Sequence, residues 1–569
     1  MAPKKCAPTV SELTEIPRIF SELLRKRGVI GEEMVRKFLY PRLSDLPQPQ
    51  AMKNLPEAVC LVLQYVTSGK QIVVWGDYDV DGTTATALLV NFFREFGVDV
   101  LWHIPNRLTE GYGLNTDWFL DRRRIELSKD FLLITVDCGI SNASQIELIQ
   151  KIGGTVIVTD HHNLPETGLP ACLILNPAQP SCGFHREHLA GVGVVFYLAA
   201  GIRKEYCSRV GSLLPEKVNL KKYLALVALG TIADVVDLTA TNRILVRAGL
   251  EALAETTFPG LQELLISCDI CKGDITSEDI GYLIGPKINA AGRLGESDLV
   301  VNLLIAKSRK EAKGLVQKLT ELNELRRKIT ADNLETALSN IRISQAEDNK
   351  CLLITGELHQ GVAGIVAARL VDMFGVPSIV FARKKMPDGS VSFVGSARSI
   401  EGIHILDMIT ACSKWVDRYG GHEMAAGLSI CTGNMAEFEA AFVKAAQNEW
   451  EKRSQVKKRR FDVECSVDQL MTENFIAFFK LLEPFGPGNL QPIFYDNSVR
   501  IVDSRTVGKD SEHLHLTIRG KYANFKGIGF CLGGRIDEVQ KVPERSILFV
   551  PTINRFRGNI SWQVRVIDL

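Results

Sequence analysis

The chain has 569 residues, of which 46% are hydrophobic and 23% are charged. These fractions are close to the averages of globular proteins, so they exclude a disordered, collagen-like or coiled-coil chain. The length predicts about four domains. The net charge of +1 excludes a uniformly basic protein and leaves room for a local basic groove.

The N-terminal region lacks an export signal, because no apolar segment follows Lys4 and Lys5, and we expect a cytoplasmic protein. The longest uncharged apolar stretch, Leu189 to Ile202, has 14 residues, fewer than the ~20 that cross a bilayer. We therefore expect a buried helix there and no membrane association. Cys268 and Cys271 have CxxC spacing, but no second pair follows at zinc-site spacing, so we interpret them as a chance pair and leave their role open.

Short β-branched runs alternate with helical segments between Gln71 and Leu175. The runs are QIVVW, VDVLWHI, FLLITVD, TVIVTD and CLILN, and the helical segments include TTATALLVNFFREF and SQIELIQKI. This alternation is typical of βαβ units and predicts a parallel sheet. Functional residues are expected just after the carboxyl ends of its strands.

The remainder of the chain predicts further domains. Leucines and isoleucines at mostly 3–4 spacing between Ala306 and Ile343 predict one long amphipathic helix. A second α/β region follows, and the basic run Lys457 to Arg460 marks a boundary. Short strands then predict a small closed β-barrel such as an OB-fold. Residues 457–569 contain 17 lysines and arginines against 13 acidic residues, so we expect this barrel to bind the phosphates of a single strand.

We therefore predict an α/β protein with two α/β domains joined by a long helix and followed by a β-barrel. The predicted parts are an N-terminal segment packing on the core (1–65), a catalytic parallel-sheet domain (66–300), the connecting helix (301–348), a second α/β domain (349–455) and an OB-fold that binds nucleic acid (456–569).

Three aspartates, Asp77, Asp79 and Asp81, directly follow the first predicted strand. Two like charges about 4 Å apart repel by roughly 4 kcal/mol at an effective dielectric constant of 20, so such a cluster needs cations. Hard divalent ions are the natural partners. A calcium EF-hand is excluded, because its twelfth loop position holds Leu88 instead of Glu and a strand precedes it. A phosphatase that uses Asp79 as a nucleophile in D-x-D-G-T stays open on local sequence alone.

Two further strands and one apolar segment also end in acids. FLLITV is followed by Asp137, TVIVT by Asp160, His161 and His162, and GTIA by Asp234. Carboxylates together with imidazole suit Mn²⁺ or Mg²⁺ in a two-metal site for in-line attack on phosphorus. The second histidine is available to touch a phosphate or donate a proton.

The order of these motifs resembles the DHH phosphoesterase superfamily and, within it, the bacterial RecJ-type single-strand-specific exonucleases, over almost the whole chain. The DHH motifs are GDYDVDG (Gly76 to Gly82), VDCGIS (Val136 to Ser141), TDHH (Thr159 to His162) and LGTIADVVDL (Leu229 to Leu238). The linker and DHHA1-type blocks are GPKINAAGR, HQGVAGIVAARL, GSARS and GGHEMAAG, and the RecJ-type OB blocks are LLEPFGPGN and VGKDSEHLHLTIR.

The resemblance implies a 5′→3′ exonuclease that degrades single-stranded DNA to mononucleotides in recombination and repair, with Mn²⁺ or Mg²⁺ as cofactor. It implies hydrolysis by water, against the aspartyl-phosphate alternative. The implied metal ligands are Asp77, Asp79, Asp81, Asp137, His161 and Asp234. Among the implied catalytic residues, His162 contacts the scissile phosphate, Asp160 is a ligand or orients its neighbours, and Asp81 is also a metal ligand.

By family position, a pocket for the terminal phosphate is implied at Arg107, Arg293, Ser396 and Arg398. Guanidinium groups hold phosphate bidentately, which suits this role. Asn289 and His422 are expected in the same cleft, with a structural hydrogen bond as the competing interpretation. The expected partners are single-stranded DNA with a 5′ end, a single-strand-binding protein and a helicase.

The sequence departs from the superfamily at Trp75, where many members have a histidine, which leaves the ligand set of the first metal open. Two other functions compete with the exonuclease. A DHH phosphodiesterase of short oligoribonucleotides or cyclic dinucleotides would not need the basic barrel. An inactive scaffold would be free to lose the acidic and histidine residues, and all of them are present.

Overall fold

The computed structural model describes residues 16–121, 126–184, 187–210, 218–270, 273, 275–341, 348–385, 390–452, 461–521, 523–556 and 559–569. They form two compact units. The larger unit contains Gln48–Asp234 and the described residues from Gly249 to 452. The smaller unit contains the described residues up to Pro47, Val235–Ala248 and the described residues from 461 on. Within these ranges, none of the helices combines the length and the apolar character that a bilayer span requires.

The first part of the chain forms thirteen described helices. They are α1 (Arg18–Lys26), α2 (Glu32–Leu39), α3 (Leu55–Thr67), α4 (Val80–Glu95), α5 (Thr116–Leu120), α6 (Ala143–Lys151), α7 (Gly191–Val210), α8 (Leu224–Ala233), α9 (Ala240–Ala254), α10 (Pro259–Ser267), α11 (Ser277–Asp279), α12 (Gly285–Arg293) and α13 (Asp298–Leu304). The apolar stretch that the sequence predicts as a buried helix lies in α7, where Val192, Val195 and Leu198 are fully buried.

A five-stranded parallel sheet lies at the centre of the catalytic part of the larger unit. Its strands are β1 (Gln71–Trp75), β2 (Leu101–His103), β3 (Phe131–Val136), β4 (Gly154–Thr159) and β5 (Leu173–Leu175), in the order β2-β1-β3-β4-β5. Every residue of β3 is buried, as expected for a parallel strand covered on both faces. The prediction of a parallel sheet is confirmed, and its strand ends place the acidic motifs at one edge.

The predicted long helix is α14 (Arg309–Ser339), which begins after Ser308, whose side chain accepts the Glu311 N–H at 3.2 Å. It leads to the second α/β domain, which contains α15 (Ala363–Phe374), α16 (Ile405–Ala411) and α17 (Met435–Lys452). The strands of this domain are β6 (Leu352–Gly356), β7 (Ser378–Lys385), β8 (Val391–Arg398), β9 (Arg418–Gly421) and β10 (Ala425–Cys431), in the order β6-β7-β8-β10-β9.

The smaller unit contains the predicted barrel. Its elements are α18 (Glu473–Leu482), α19 (Ile536–Lys541), β11 (Val463–Glu464), β12 (Phe494–Val507), β13 (His513–Arg519), β14 (Asn524–Gly529), β15 (Glu544–Phe556) and β16 (Asn559–Asp568). Pairing between β12 and β15 closes five of the six strands into a barrel, and the expectation of an OB-type fold is confirmed. The basic run Lys457 to Arg460, like Cys271, lies outside the described residues.

The N-terminal region divides between the two units. Phe20, Leu23 and Leu24 of α1, spaced for one helix face, are buried in the same apolar core as the barrel, whereas α3 belongs to the larger unit. Arg243 of α9 is also buried in the smaller unit, where it donates hydrogen bonds to the carbonyls of Leu481 and Leu482 at 3.0 Å. These carbonyls end α18 and have no partner within their own helix, so the arginine satisfies them.

Candidate active site

The first acidic motif forms the turn between β1 and α4. Asp79 is the N-cap of α4, and its Oδ1 accepts the Gly82 N–H at 3.0 Å. A Cβ at Gly82 would lie 2.5 Å from the carbonyl oxygen of Asp77, so only glycine fits this close turn. Asp81 accepts the N–H groups of Gly191 and Val192 at 2.6 and 2.8 Å. Because these groups begin α7, the helix N-terminus holds the carboxylate in place.

The other predicted acids and histidines reach the same place from neighbouring elements. Asp137 follows β3 with a left-handed φ of 62°, His161 and His162 follow β4, and Asp234 caps the C-terminus of α8. His161 Nε2 lies 3.1 Å from Asp137 Oδ1, 3.5 Å from Asp234 Oδ2 and 3.9 Å from Asp81 Oδ2. Sequence elements far apart in the chain thus converge on one imidazole.

Ligand atoms in this cluster lie close enough to share metal ions. Within each of three groups of residues, one ligand atom per residue lies within 4.8 Å of the others. The groups are Asp77, Asp79 and Asp137; Asp81, His161 and Asp234; and Asp137, His161 and His162. Because the groups overlap at Asp137 and His161, the geometry suits two adjacent ions.

Asp160 differs from the other acids because its carboxylate already accepts four hydrogen bonds within the protein. It is buried, and it accepts hydrogen bonds from the His161 N–H at 2.7 Å, the His162 N–H at 3.0 Å, His162 Nδ1 at 2.8 Å and the Ile140 N–H at 2.9 Å. These bonds fix the turn that carries both histidines. They also leave Nε2 as the remaining ring nitrogen of His162.

Burial and mutual repulsion control the charges of the cluster. Burial, and then the neighbouring aspartates, raises the pKa of Asp77 and Asp137 well above the ordinary range, that of Asp81 to about 7 and that of Asp234 to about 8. Burial, and then His162, lowers the pKa of His161 to about 4.

The pKa of His162 moves in the opposite direction. Burial alone would lower it, but the hydrogen bond to Asp160 raises it to about 9. Burial alone would raise the pKa of Asp160, but the hydrogen bonds from His162 and the backbone outweigh burial, so the pKa of Asp160 is lowered. The two residues therefore form a charged pair beside the acidic cluster.

Three buried atoms without hydrogen-bond partners indicate whether the cluster fits metal ions. Asp77 Oδ1, Asp137 Oδ1 and His161 Nε2 have no hydrogen-bond partner within the described part of the chain. Buried polar atoms without partners are costly, and carboxylate oxygens with an imidazole nitrogen are ligands that Mn²⁺ and Mg²⁺ accept. The residues present therefore fit Mn²⁺ or Mg²⁺.

Trp75 takes no part in this ligand set. Its side chain is fully buried in the apolar core beside β1, and its Nε1–H donates to the carbonyl of Gly113 at 3.2 Å. Asp77, two residues later, lies among the candidate ligands instead. The ligand set of the first metal therefore stays a prediction.

Three predicted arginines lie close to one another in the larger unit. Arg293 donates to the Gly361 carbonyl at 3.2 Å, Arg398 to the Ala397 carbonyl at 2.7 Å, and the guanidinium of Arg107 lies 5.0 Å from the centre of the Tyr78 ring. Burial, followed by the charges of Arg107 and Arg398, lowers the pKa of Arg293 to about 10. Like charges held together in this way favour binding of an anion.

The first turn of α15 adjoins these arginines. A Cβ at Gly364 would lie 2.9 Å from Arg398 Nη2 and 3.6 Å from Ser396 Cβ, so the glycine leaves room for both side chains. The structure thus brings together Arg107, Arg293, Ser396 and Arg398.

Asn289 and His422 are placed differently. Asn289 lies half-buried on α12, four residues before Arg293, and His422 is exposed in the turn between β9 and β10. Among the described residues, no hydrogen bond joins either side chain to the three arginines. Their assignment to the substrate cleft stays a prediction.

Sequence reasoning missed two tyrosines. The hydroxyl of Tyr112 lies 3.5 Å from His162 Nδ1, and its ring packs edge-on against Tyr78 at 6.3 Å. Tyr112 stands between two glycines in the segment GYG, and this pattern was the available signal of a constrained loop.

Comparisons with known proteins agree with this architecture. The family models of the DHH family N-terminal domain, the DHHA1 domain and the RecJ OB domain match residues 71–231, 348–449 and 461–568. The single-stranded-DNA-specific exonuclease RecJ of Bacillus subtilis (strain 168) is 31% identical over 562 residues, which cover 98% of this chain and 69% of that protein.

The protein of the same name from Haemophilus influenzae is 34% identical over 537 residues, or 92% of each chain. The crystal structure of RecJ from Thermus thermophilus in complex with Mn²⁺ superposes with a TM-score of 0.78 at 28% identity, covering 99% of this chain and 78% of that one. The chain belongs to the RecJ family of single-stranded-DNA-specific exonucleases.

Proposed function

We propose that this protein hydrolyses single-stranded DNA from its 5′ end, releasing mononucleotides with the help of two divalent cations, in recombination and repair. The observation that carries the proposal is the buried cluster of carboxylates around His161 in the same compact unit as the arginine trio Arg107, Arg293 and Arg398. The cluster suits cations, and the trio suits a phosphate.

The residues of the cluster have different roles in the proposed reaction. When bound, Mn²⁺ or Mg²⁺ supplies Lewis-acid activation of water and neutralises charge on the phosphate. Asp77, Asp79, Asp81, Asp137, His161 and Asp234 would hold the ions. Asp160 accepts the hydrogen bond from His162 Nδ1 at 2.8 Å and so orients the ring, which leaves Nε2–H to donate to the scissile phosphate.

In this proposal the 5′→3′ polarity depends on a pocket for the terminal phosphate at the three arginines. Arg293 and Arg398 retain N–H donors beyond those used on backbone carbonyls, and a terminal phosphate carries more charge than an internal phosphodiester. An enzyme with such a pocket engages chain ends, so it releases one nucleotide in each cycle instead of cutting internally.

The barrel favours a strand over a small substrate. Arg505, Arg519 and Lys526 are exposed on adjacent strands β12, β13 and β14, where positive side chains can follow a phosphate backbone. A phosphodiesterase of short oligoribonucleotides or cyclic dinucleotides would have no use for this surface. A single-strand-binding protein and a helicase as partners, and a cytoplasmic location, belong to the same proposal.

The test uses single-stranded DNA with a 5′-phosphate and a label near its 3′ end, incubated with Mn²⁺, with an EDTA control and a parallel oligoribonucleotide. The proposal predicts metal-dependent shortening that proceeds from the 5′ end and releases mononucleotides. Turnover of the RNA alone would favour the small-substrate phosphodiesterase. Internal cleavage, or no turnover of either substrate, would overturn the proposal.

A further inference from the structure

The loop between β2 and α5 presents Tyr112 from a fixed backbone. Gly111 and Gly113 on either side both have a φ of 85°, a conformation that side chains other than glycine's rarely adopt. The carbonyl of Gly113 accepts the Nε1–H of buried Trp75 at 3.2 Å. A Cβ at Gly113 would lie 2.6 Å from Asn142 Oδ1. The hydrogen bond to Gly113 therefore anchors the loop directly after Tyr112, whose side chain is 51% exposed.

The ring of Tyr112 packs against the imidazole of His162. Their centres are 5.9 Å apart and the rings are inclined by 70°. Tyr112 also meets the Tyr78 ring at 6.3 Å in a similar edge-on contact. Such edge-to-face contacts favour one relative orientation of the two rings.

The hydroxyl of Tyr112 is not the principal hydrogen-bond partner of His162. It lies 3.5 Å from His162 Nδ1, at the outer limit of a hydrogen bond, whereas Asp160 Oδ1 lies 2.8 Å from the same nitrogen. A charged imidazole has one hydrogen on Nδ1, and the shorter bond uses it. The contribution of Tyr112 is therefore expected from its ring.

We propose that Tyr112 is a positioning residue for His162. Asp160 fixes one nitrogen of the imidazole, and the ring of Tyr112 prevents the imidazole from swinging about that bond, so that Nε2 stays directed at the scissile phosphate. The inference rests on the proposed function, since it assigns Tyr112 to the reaction through His162.

The experiment is a double-mutant cycle on kcat and KM with 5′-phosphorylated single-stranded DNA and Mn²⁺. Tyr112→Ala is expected to lower kcat about tenfold and to leave KM within about twofold, because a misdirected group affects the reaction more than binding. Tyr112→Phe is expected to stay within about twofold of the wild type. In the His162→Ala background, Tyr112→Ala is expected to have no further effect.

Two comparisons separate positioning from general damage. Tyr282→Ala, at a tyrosine that is 74% exposed in the same unit, is expected to leave kcat unchanged, and thermal unfolding followed by circular dichroism checks each variant. Should Tyr112→Ala fail to fold, Tyr112→Leu replaces it with a smaller loss of packing.

Independent, multiplying effects of the two substitutions, or a Tyr112→Ala effect on KM alone, would overturn the inference. A His162→Ala protein with full activity would instead overturn the proposed function.

Discussion

The acidic cluster and the arginine trio are both groups of like charges, but they are built differently. The carboxylates are largely buried, and two of their oxygens, Asp77 Oδ1 and Asp137 Oδ1, have no hydrogen-bond partner among the described residues. The arginines are half-buried, and Arg293 and Arg398 already donate to backbone carbonyls. The acidic cluster therefore needs cations to satisfy its buried atoms, whereas the arginines already have backbone partners and, in the proposed function, would bind an anion through their remaining donors.

The largest effect is expected from removing one charge of the acidic cluster. Asp137→Asn keeps the shape of the side chain but removes a candidate ligand, so the rate of DNA hydrolysis is expected to fall by about 1000-fold or more. In EDTA the same variant is expected to unfold at a temperature no lower than the wild type, because one repulsive charge is gone. Nuclease assays and calorimetry measure the two effects, and a parallel loss of both would mean that Asp137 is only structural.

A smaller effect is expected from the arginine trio. Arg293→Ala is expected to lower kcat/KM on 5′-phosphorylated DNA by about 10- to 100-fold, since hydrogen bonds to charged groups contribute about 1.5–3 kcal/mol. The loss on 5′-hydroxyl DNA should be smaller. Arg383→Ala is the matched control, because Arg383 forms an ion pair with Glu357 at 3.0 Å on the surface. Equal losses on both substrates would contradict a terminal-phosphate pocket.

The shifted pKa values of the cluster predict how the free energy of unfolding of the metal-free protein changes with pH. Folding raises the pKa of Asp81 to about 7, of Asp234 to about 8 and of His162 to about 9. Between pH 6.5 and 8 the folded state therefore binds more protons than the unfolded state, and the free energy of unfolding falls as pH rises. The expected slope is about 1.4 kcal/mol per pH unit for each extra proton. Urea denaturation in EDTA measures it, and a stability that rises with pH in this window would contradict the predicted directions.

The smallest effect concerns the barrel. Arg505→Ala is expected to weaken binding of long single strands and to reduce the salt dependence of log K by about 0.7, the value for one phosphate on a single strand. Fluorescence anisotropy at several salt concentrations measures this slope, with Lys541→Ala, an exposed residue of α19, as the control. Unchanged slopes in both variants would exclude the β12–β14 surface from strand binding.

Much of the acidic cluster could be predicted because its residues follow the ends of parallel strands. This rule alone placed Asp77, Asp137 and His161 at one edge of the sheet. Asp160 could not be assigned in advance, because its role depends on four hydrogen bonds whose donors only the folded turn brings together.

The arginine trio was identified by resemblance alone, since Arg107, Arg293 and Arg398 come from a loop, a helix and a strand of two different domains. The sequence alone also could not predict where the N-terminal helices pack. The apolar face of α1 shows that it is buried, but not that it packs in the core of a barrel more than 400 residues further along the chain.

The proposed hydrolysis requires the acidic cluster to hold two neighbouring divalent cations. Electron paramagnetic resonance of the protein titrated with Mn²⁺ tests it most directly, because two ions that share ligands give a spin-coupled signal. We expect two Mn²⁺ per chain with such coupling, and loss of the coupled signal in Asp137→Asn. A single uncoupled Mn²⁺, or no tightly bound Mn²⁺, in the folded wild-type protein would contradict it.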